Sequence, residues 1–448
     1  MMRRVRRLRN VGALRLFAMF ALLAFSATSY SAAYEVVFEQ SYAVGKAEIP
    51  KAFSISRSRS GGYIVAGRGL PSQGWVLATD ALGKKKWEVL SSGTPGSTKE
   101  IHMALEVSNG DTVAVGTTNS HDIVLGDWGD DGRPPDYHYF HTPRMGYTAR
   151  FDARGRSLWQ KVLGSVKRRD GGIAYCGAVS PLGIVLVGNR GKEWTGQPTR
   201  NGTAYQSAIW VATVDDTGAL SWHSTVWNDG PDLLDARHLD GEGCSGPLLQ
   251  DDGSFVFAVS VQEQLSVVMS GKRLIAGPDI KARSTRTFVL VTRFDRRGRE
   301  LARARIDGAT HPRLATAPVG FVVLDNPTPV LEHGIRRTLL DHDLHVVEQK
   351  EAKLDGFAFG ITAMQPGPNG GFHLAGYKVV PPNTRGRPAI GFLTGDLQLR
   401  ALRTFGPLLS GWGDPVALAP GSNLDEVVML RQGGNGPPIG IIKFRLMP

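Results

Sequence analysis

The sequence predicts an all-β fold, a seven-bladed β-propeller. Three observations support this: a repeated turn motif, a recurring pattern of short strands, and an N-terminal segment that completes the last repeat. The motif Asp-x-x-Gly-x-x-x-Trp begins at Asp80, Asp152 and Asp215, and a variant that ends in Ala302 begins at Asp295. Repetition at this spacing indicates a propeller or a solenoid.

Two strand signals occur in every repeat as short apolar runs bounded by turn residues. The second strand of each repeat is predicted at 62–67, 111–116, 183–188, 254–259, 320–324, 371–376 and 426–430. The third strand is predicted at 75–79, 147–151, 209–213, 288–292, 337–340, 390–393 and 439–442. Seven copies of each predict seven blades, with six or eight as the alternatives.

The Asp-x-x-Gly segment is predicted to be a tight turn between the third and fourth strands. An Asp side chain can accept a hydrogen bond from the backbone two residues on, and Gly adopts the positive φ that such turns need. The Trp then begins the outer strand, where a large ring can cover the seam between blades. This interpretation makes the motif structural rather than catalytic.

The final repeat ends at Pro448 without a fourth strand. Residues 36–42 match the pattern of residues 87–90, with Phe38 at the position of Trp87. We therefore expect the N-terminal segment to supply the missing outer strand. This arrangement closes the ring and leaves no incomplete blade.

The first 33 residues have the features of a signal peptide. An Arg-rich start precedes an apolar stretch over about 14–25, and the small residues at 31–33 suit a signal peptidase. A bilayer span needs about 20 apolar residues. We expect a signal peptide at 1–33, a propeller at 34–448 with no membrane span, and a periplasmic or secreted location. An uncleaved anchor is the alternative.

The net charge of +11 overstates the basicity of the predicted mature chain. The first 33 residues hold six of the 52 basic residues and no acidic residue, which leaves 46 basic and 41 acidic residues in the remainder. That remainder has no dense basic run with interleaved aromatic residues. We therefore expect no nucleic-acid partner.

The two cysteines, Cys176 and Cys244, fall on the first strands of adjacent repeats. Inner strands of neighbouring blades converge on the channel of a propeller. We therefore predict a disulfide in an oxidising compartment, with two buried thiols as the alternative. The lack of a Cys-x-x-Cys motif argues against a redox or metal role.

The motif, together with the preceding Gly-Gly-Tyr-Ile-Val-Ala-Gly at 61–67, resembles the repeats of bacterial secreted β-propeller proteins. It is similar, more distantly, to the repeats of pyrroloquinoline-quinone dehydrogenases and of the outer-membrane-protein assembly propeller. The resemblance spans the predicted mature chain and implies a scaffold. Adjacent cysteines, which the quinone site of that family would imply, do not occur in the sequence. An oxidoreductase with a bound quinone is therefore the weakest hypothesis.

Three predicted connections between second and third strands are long, at about 117–146, 189–207 and 261–286. They belong to blades two, three and four, and they lie on the face where each blade connects to the next. Long loops in compact domains are usually functional or disordered. We therefore place the candidate site on this face.

The blade-two loop is rich in carboxylates and glycines, the composition of a hard-cation site. The candidate calcium ligands are Asp127, Asp130, Asp131 and Asp136, although their spacing is not that of an EF-hand. A solvated polar loop and a transition-metal site built on histidines are the alternatives. The binding-face candidates are the same four aspartates with Tyr137, His138, His141, Trp194, Asp232, Asp235 and His238.

The residues between blades three and four, 229–242, add a second cluster of carboxylates and His238. Paired carboxylates suit acid–base chemistry on a glycan, and turn or cap roles are the alternative. Motifs for nucleophilic catalysis do not occur. We predict an exported, non-catalytic binding or scaffold protein whose partner is an envelope protein or polysaccharide. The alternative is a carbohydrate-active hydrolase or lyase.

The central channel offers less chemistry in this interpretation. The inner-strand residues that the pattern places there are small. They are Ser54, Ala104, Cys176, Ser245, Ala315 and Ala417.

Overall fold

The computed structural model describes fourteen stretches of the chain. They are residues 33–44, 50–69, 73–91, 99–118, 145–163, 173–191, 207–226, 243–265, 284–327, 334–354, 356–380, 386–405, 414–432 and 439–448. These residues form seven four-stranded antiparallel sheets, and blade 6 also has a 3₁₀ turn at Pro368–Gly370. The structure confirms the seven-bladed propeller.

Within each of the first six blades the strands follow one another from the channel outward. Blade 1 comprises β2 (Lys51–Arg57), β3 (Tyr63–Gly69), β4 (Gln73–Thr79) and β5 (Lys85–Ser91). Blade 2 comprises β6 (Lys99–Glu106), β7 (Thr112–Thr118), β8 (Met145–Phe151) and β9 (Ser157–Leu163). Blade 3 comprises β10 (Ile173–Ser180), β11 (Gly183–Gly191), β12 (Ser207–Val214) and β13 (Leu220–Val226).

The remaining blades follow the same plan. Blade 4 comprises β14 (Cys244–Leu249), β15 (Phe255–Leu265), β16 (Ser284–Phe294) and β17 (Glu300–Asp307). Blade 5 comprises β18 (Ala309–Ala317), β19 (Gly320–Pro327), β20 (Ile335–Leu340) and β21 (Val346–Ala352). Blade 6 comprises β22 (Ala358–Pro366), β23 (Phe372–Val379), β24 (Arg387–Leu393) and β25 (Leu399–Thr404). Blade 7 comprises β26 (Asp414–Pro420), β27 (Glu426–Gln432), β28 (Ile439–Met447) and β1 (Ala33–Tyr42).

The N-terminal strand closes the ring, as the sequence predicts. Strand β1 pairs antiparallel with β28 and is the outermost strand of blade 7, with Phe38 opposite Lys443. Buried Tyr34 also reaches into blade 6, where its hydroxyl lies 2.7 Å from Nδ1 of His373. His373 Nε2 donates to the Leu424 carbonyl at 2.7 Å, so Nδ1 accepts from the tyrosine. Burial lowers the pKa of His373 and keeps this ring neutral.

The Asp-x-x-Gly motif forms the predicted turns. In blade 2, Asp152 Oδ1 accepts hydrogen bonds from the amides of Arg154 and Arg156, both at 2.9 Å, and Gly155 has a φ of 81°. The backbone hydrogen bond from Arg156 is the largest influence on this carboxyl group, and the pKa of Asp152 is lowered despite opposing desolvation. These aspartates therefore hold the turns in shape.

The aromatic residue of each motif lies over the turn glycine of the next blade. A Cβ on Gly155 would lie 2.9 Å from the Trp87 ring, and one on Gly83 would lie 2.8 Å from the Phe38 ring. Phe38 thus occupies the position predicted from the alignment with Trp87. Where blade 4 has the small Ala302 instead, the facing turn position in blade 5 is Leu344, which packs in the same hydrophobic cluster.

The first strands of neighbouring blades contact one another and form the wall of the central channel. Each carries a β-bulge. In blade 1 the bulge brings the Lys51 carbonyl against Gly67, where a Cβ would overlap both that oxygen and the Trp75 ring. Gly116 in blade 2 is crowded by the Glu100 carbonyl in the same way. Gly67 and Gly116, each two residues before the end of the second strand, therefore accommodate the bulges beside them.

Blade 5 has a charged residue at this position. Asp325 is fully buried and accepts a hydrogen bond from Arg336 Nη2 at 2.9 Å. Burial raises the pKa of Asp325 to about 6, although Arg336 opposes the shift. A buried ion pair in this blade thus replaces the glycine found in blades 1 and 2.

Candidate functional site

The two ends of the propeller differ in their connections. At one end, the turn end, first strands join second strands and third strands join fourth strands through tight turns such as 80–84 and 152–156. At the other, the loop end, second strands leave for third strands and each blade connects to the next. Strands β15 and β16 extend further than predicted, so the blade-4 connection is 266–283 rather than 261–286. The other two long connections, 119–144 and 192–206, also belong to this end.

The binding-face and calcium candidates predicted from the sequence all lie outside the described residues. They are Asp127, Asp130, Asp131, Asp136, Tyr137, His138, His141, Trp194, Asp232, Asp235 and His238. In the part of the chain that the structure describes, no three His, Cys, Asp or Glu side chains come together as a metal site. The described strands on either side of these candidates meet the undescribed segments at the loop end.

The predicted disulfide is present. Cys176 of β10 and Cys244 of β14 are bonded, with their Cα atoms 6.1 Å apart. The bond joins the inner strands of blades 3 and 4 and fixes one seam of the channel wall. It adjoins Tyr175, which belongs to the site described next.

The inner strands of blades 1 to 3 carry larger residues beside those that the sequence pattern places there. Ser54, Ala104 and Cys176 do lie on inner strands, but the bulges precede them. In each strand the bulge places one extra residue at the same position: Phe53, His102 and Tyr175. All three are half-buried. Counting alternate residues along the strand misses them, because a bulge breaks the alternation.

The three bulge residues form a continuous row of rings across two seams. The ring centroids of Phe53 and His102 are 5.3 Å apart, and those of His102 and Tyr175 are 5.2 Å apart. The first pair is tilted by 31° and the second meets edge to face at 72°. Both arrangements suit the quadrupoles of aromatic rings.

A charged pair lies beside this row. Glu100 forms an ion pair with Arg68 of blade 1, and its other oxygen is 3.9 Å from His102 Nε2. The Glu100 side chain is only 7% exposed, whereas that of Arg68 is 33% exposed. The carboxylate therefore holds the guanidinium in place and leaves part of it open to solvent.

Lys99, at the loop end of the same strand, is also buried, with 1% of its surface exposed. Its ammonium lies 5.5 Å from the ring centroid of Tyr147, which also donates a hydrogen bond to Gln160 at 2.9 Å. A buried cation over an aromatic face stabilises blade 2, to which both residues belong. Lys99 therefore supports the strand that presents Glu100 and His102.

The channel wall of blades 5 and 6 is polar in a different way. Arg313 donates to the Thr362 carbonyl across the seam and to the Pro312 carbonyl at 2.9 Å. His311 is exposed in the bulge of the same strand and has a φ of 53°. Arg313 therefore joins the inner strands of blades 5 and 6.

No protein-family model and no curated protein matches this sequence. Among solved structures, a protein of unknown function from Dyadobacter fermentans is 11% identical, with a TM-score of 0.43, over 92% of this chain and 99% of that one. A Trypanosoma rangeli sialidase in complex with 2,3-difluorosialic acid is 8% identical, with a TM-score of 0.40, over 90% and 59%. A quinoprotein alcohol dehydrogenase-like protein from Bacteroides thetaiotaomicron is 10% identical, with a TM-score of 0.42, over 82% and 68%. At such low similarity, none of these proteins indicates an activity or a ligand for this chain.

Among the described residues, no helix is long and apolar enough to cross a bilayer.

Proposed function

We propose that this chain is an exported binding protein without catalytic activity, and that its loop end over blades 1 to 4 contacts a polysaccharide or protein of the cell envelope. The signal-peptide features of residues 1–33 and the Cys176–Cys244 disulfide support export. In this proposal residues 34–448 form the exported propeller.

The difference between the two ends is the observation on which the proposal rests. The turn end is made of short turns whose Asp side chains are engaged with their own backbone. The strands that flank the connections 119–144, 192–206 and 266–283 belong to adjacent blades and meet these connections at the loop end, where the strands that carry Phe53 and Tyr175 begin. Loops on a rigid scaffold are where propellers and other β-folds place recognition. The acidic candidates in 119–144 and 227–242 would extend this surface, with calcium as the ion they would suit.

A co-sedimentation assay tests the proposal. The probes are purified bacterial sacculi and an insoluble capsular polysaccharide, each mixed with the full-length mature protein. Replacing 119–144 by a short Gly-Ser turn should abolish sedimentation, whereas Arg154→Ala at the exposed turn end should leave it unchanged. Equal sedimentation of the loop variant and the wild type would overturn the assignment of the loop end.

The same samples separate binding from the hydrolase or lyase alternative. A binding protein leaves the chain length of the polysaccharide unchanged after prolonged incubation. Release of soluble, shorter products that stops on replacement of Asp232 and Asp235 by Asn would instead favour catalysis.

A further inference from the structure

The turn end of the propeller has a surface of its own, opposite the end that the proposed function uses. We propose that the turn end over blades 1 and 2 binds the surface of a lipid bilayer rich in anionic phospholipid. This interaction goes beyond the proposed function and does not depend on it. Exposed basic residues, an exposed leucine on a rigid turn and the place where the chain enters β1 support it.

The charge of blades 1 and 2 is predominantly basic. Their described residues, 50–69, 73–91, 99–118 and 145–163, include twelve basic and six acidic residues, a net charge of +6. Every exposed charged side chain among them is basic. Anionic lipid headgroups attract such a surface. The exposed basic residues at the turn end, here called the basic surface, are Arg59, Lys84, Lys85, Lys86, Arg154 and Arg156.

The carboxylates at this end are engaged by their own turns. Asp80 Oδ1 accepts hydrogen bonds from the amides of Leu82 and Lys84, at 2.9 and 2.8 Å. Asp152 pairs with Arg156 at 2.7 Å, and the carboxylate side chain is 15% exposed whereas the guanidinium side chain is 75% exposed. A partner that approaches the turn end therefore meets the cations before the carboxylates.

The basic residues of the two blades adjoin one another. The turn that carries Arg154 packs against the start of the blade-1 outer strand, because a Cβ on Gly155 would lie 2.9 Å from the Trp87 ring. The first turns of the two blades are also joined, since Arg59 Nη1 donates to the Ser108 carbonyl at 3.0 Å. On either side, the turns of blades 3 and 7 expose Asp216 and Asp425. The basic surface is therefore one patch over two blades.

Leu82 gives this patch an apolar tip. It lies two residues after Asp80 and is 71% exposed. Its amide is bonded to Asp80, so a rigid turn holds the side chain out to solvent. The equivalent residues of blades 2 to 6 are polar or charged: Arg154, Thr217, Arg297, Asp343 and Asp396. An apolar side chain among cations suits the boundary between headgroups and acyl chains, whereas a soluble polyanion offers it no apolar phase.

The path of the chain brings the same end to a membrane. Strand β1 begins at Ala33, which pairs with Met447 at the turn end of blade 7. Blade 7 adjoins blade 1, where Arg57 donates to the Gly421 carbonyl. The apolar stretch of the predicted signal peptide ends at about residue 25, and eight residue steps of an extended chain reach at most about 30 Å. While the signal peptide is attached to a bilayer, the turn end is therefore held close to the headgroups. After cleavage, the basic surface can keep the mature protein there.

Vesicle flotation of the mature protein, residues 34–448, tests the proposal at low salt. The probes are vesicles of phosphatidylcholine and vesicles of equal parts phosphatidylcholine and phosphatidylglycerol. We expect binding to the anionic vesicles only, and its loss at high salt. Each basic residue near an anionic surface contributes about fivefold to binding, so Lys84→Gln/Lys85→Gln/Lys86→Gln should weaken it at least tenfold. The matched control removes three exposed charges at the loop end, Lys51→Gln/Lys353→Gln/Arg387→Gln, and should bind like the wild type.

The leucine distinguishes a membrane from a soluble polyanion. Leu82→Ala should weaken vesicle binding about threefold or more and leave binding to dextran sulfate unchanged. Preference for dextran sulfate with no effect of Leu82→Ala would assign the patch to a soluble polyanion and overturn the proposal. Equal weakening by the two triple variants would also overturn it, because total charge rather than the turn end would then control binding.

Sacculi, which contain no phospholipid, report on the loop end separately. If the wild type co-sediments with sacculi but does not float with anionic vesicles, the proposed function stands and the membrane proposal fails. If the lysine variant loses vesicle binding, keeps sacculus binding and melts at the wild-type temperature, both stand.

Discussion

The contact between Phe38 and Gly83 allows a quantitative test of ring closure. Gly83 lies in the Asp-x-x-Gly turn of blade 1 and has a φ of 79°. A Cβ at this residue would lie 2.8 Å from Phe38 Cε2. In Gly83→Ala the left-handed backbone costs about 1 kcal/mol, and overpacking against the ring adds about 1–3 kcal/mol. We therefore expect this variant to lose about 2–4 kcal/mol of unfolding free energy.

The second substitution removes the ring. Phe38 is half-buried against the cluster at the seam of blades 7 and 1, so Phe38→Ala alone should cost about 2 kcal/mol. In the double variant the added methyl group no longer meets the ring, and only the backbone cost of Gly83→Ala should remain. The coupling energy is then about 1–3 kcal/mol in favour of the double variant. Gln40 and Tyr42 also approach Gly83, and the flexible Gln40 side chain can move aside.

Urea unfolding, followed by circular dichroism at constant m-value, measures all four corners of this cycle. Gly110→Ala is the matched control. Gly110 has a φ of 86°, but a Cβ there would meet nothing within 4 Å. It should cost about 1 kcal/mol and show no coupling to Phe38→Ala. Additive effects of Phe38→Ala and Gly83→Ala would refute the argument, because they would mean that Phe38 does not cover the blade-1 turn.

Three further predictions concern buried groups. The folded-state pKa of Asp325 is raised to about 6, so its contribution to the unfolding free energy should fall by about 3 kcal/mol as the pH rises from about 4 to 6. Asp325→Asn should flatten this part of the plot of unfolding free energy against pH. Superimposable plots for the variant and the wild type would contradict this prediction. Tyr34→Phe removes the hydrogen bond to His373 and should lower the unfolding free energy at pH 7.5 by about 1 kcal/mol. Because the pKa of His373 is lowered in the folded state, the unfolding free energy of the wild type should rise with pH up to about 6.5. That of His373→Leu should not. The Cys176–Cys244 bond spans 68 residues, and its reduction should lower the unfolding free energy by about 4 kcal/mol. Calorimetry should show this as a fall in melting temperature when reductant is added. The Cys176→Ser/Cys244→Ser variant should show no such fall.

The features that the sequence predicts correctly are those that repeat. The turn aspartates and glycines recur at a fixed distance from the strands, so they define the number of blades and the position of Phe38. The disulfide follows from the same register, because it places both cysteines on neighbouring inner strands. The turn at Leu344 departs from the motif, and only the structure shows that the small Ala302 opposite makes room for it.

The row of rings formed by Phe53, His102 and Tyr175 was not predicted, for a physical reason. A bulge adds a residue without requiring a particular side chain at that residue, so Phe53 and His102 resemble ordinary strand residues in the sequence. The signal lies on the partner strand, where Gly67 and Gly116 leave room for the bulged carbonyl. In blades 1 and 2, the glycine two residues before the end of the second strand could therefore have indicated which inner-strand residue is bulged.

Side-chain oxidation by hydroxyl radicals, read by mass spectrometry, tests most directly whether recognition occurs at the loop end. The mature protein is labelled with and without the saccharide or polysaccharide that it binds. The account predicts that the ligand slows oxidation of Phe53 and Tyr175 and leaves that of Leu82, 71% exposed at the turn end, unchanged. Protection of Leu82 with no change at Phe53 and Tyr175 would contradict it.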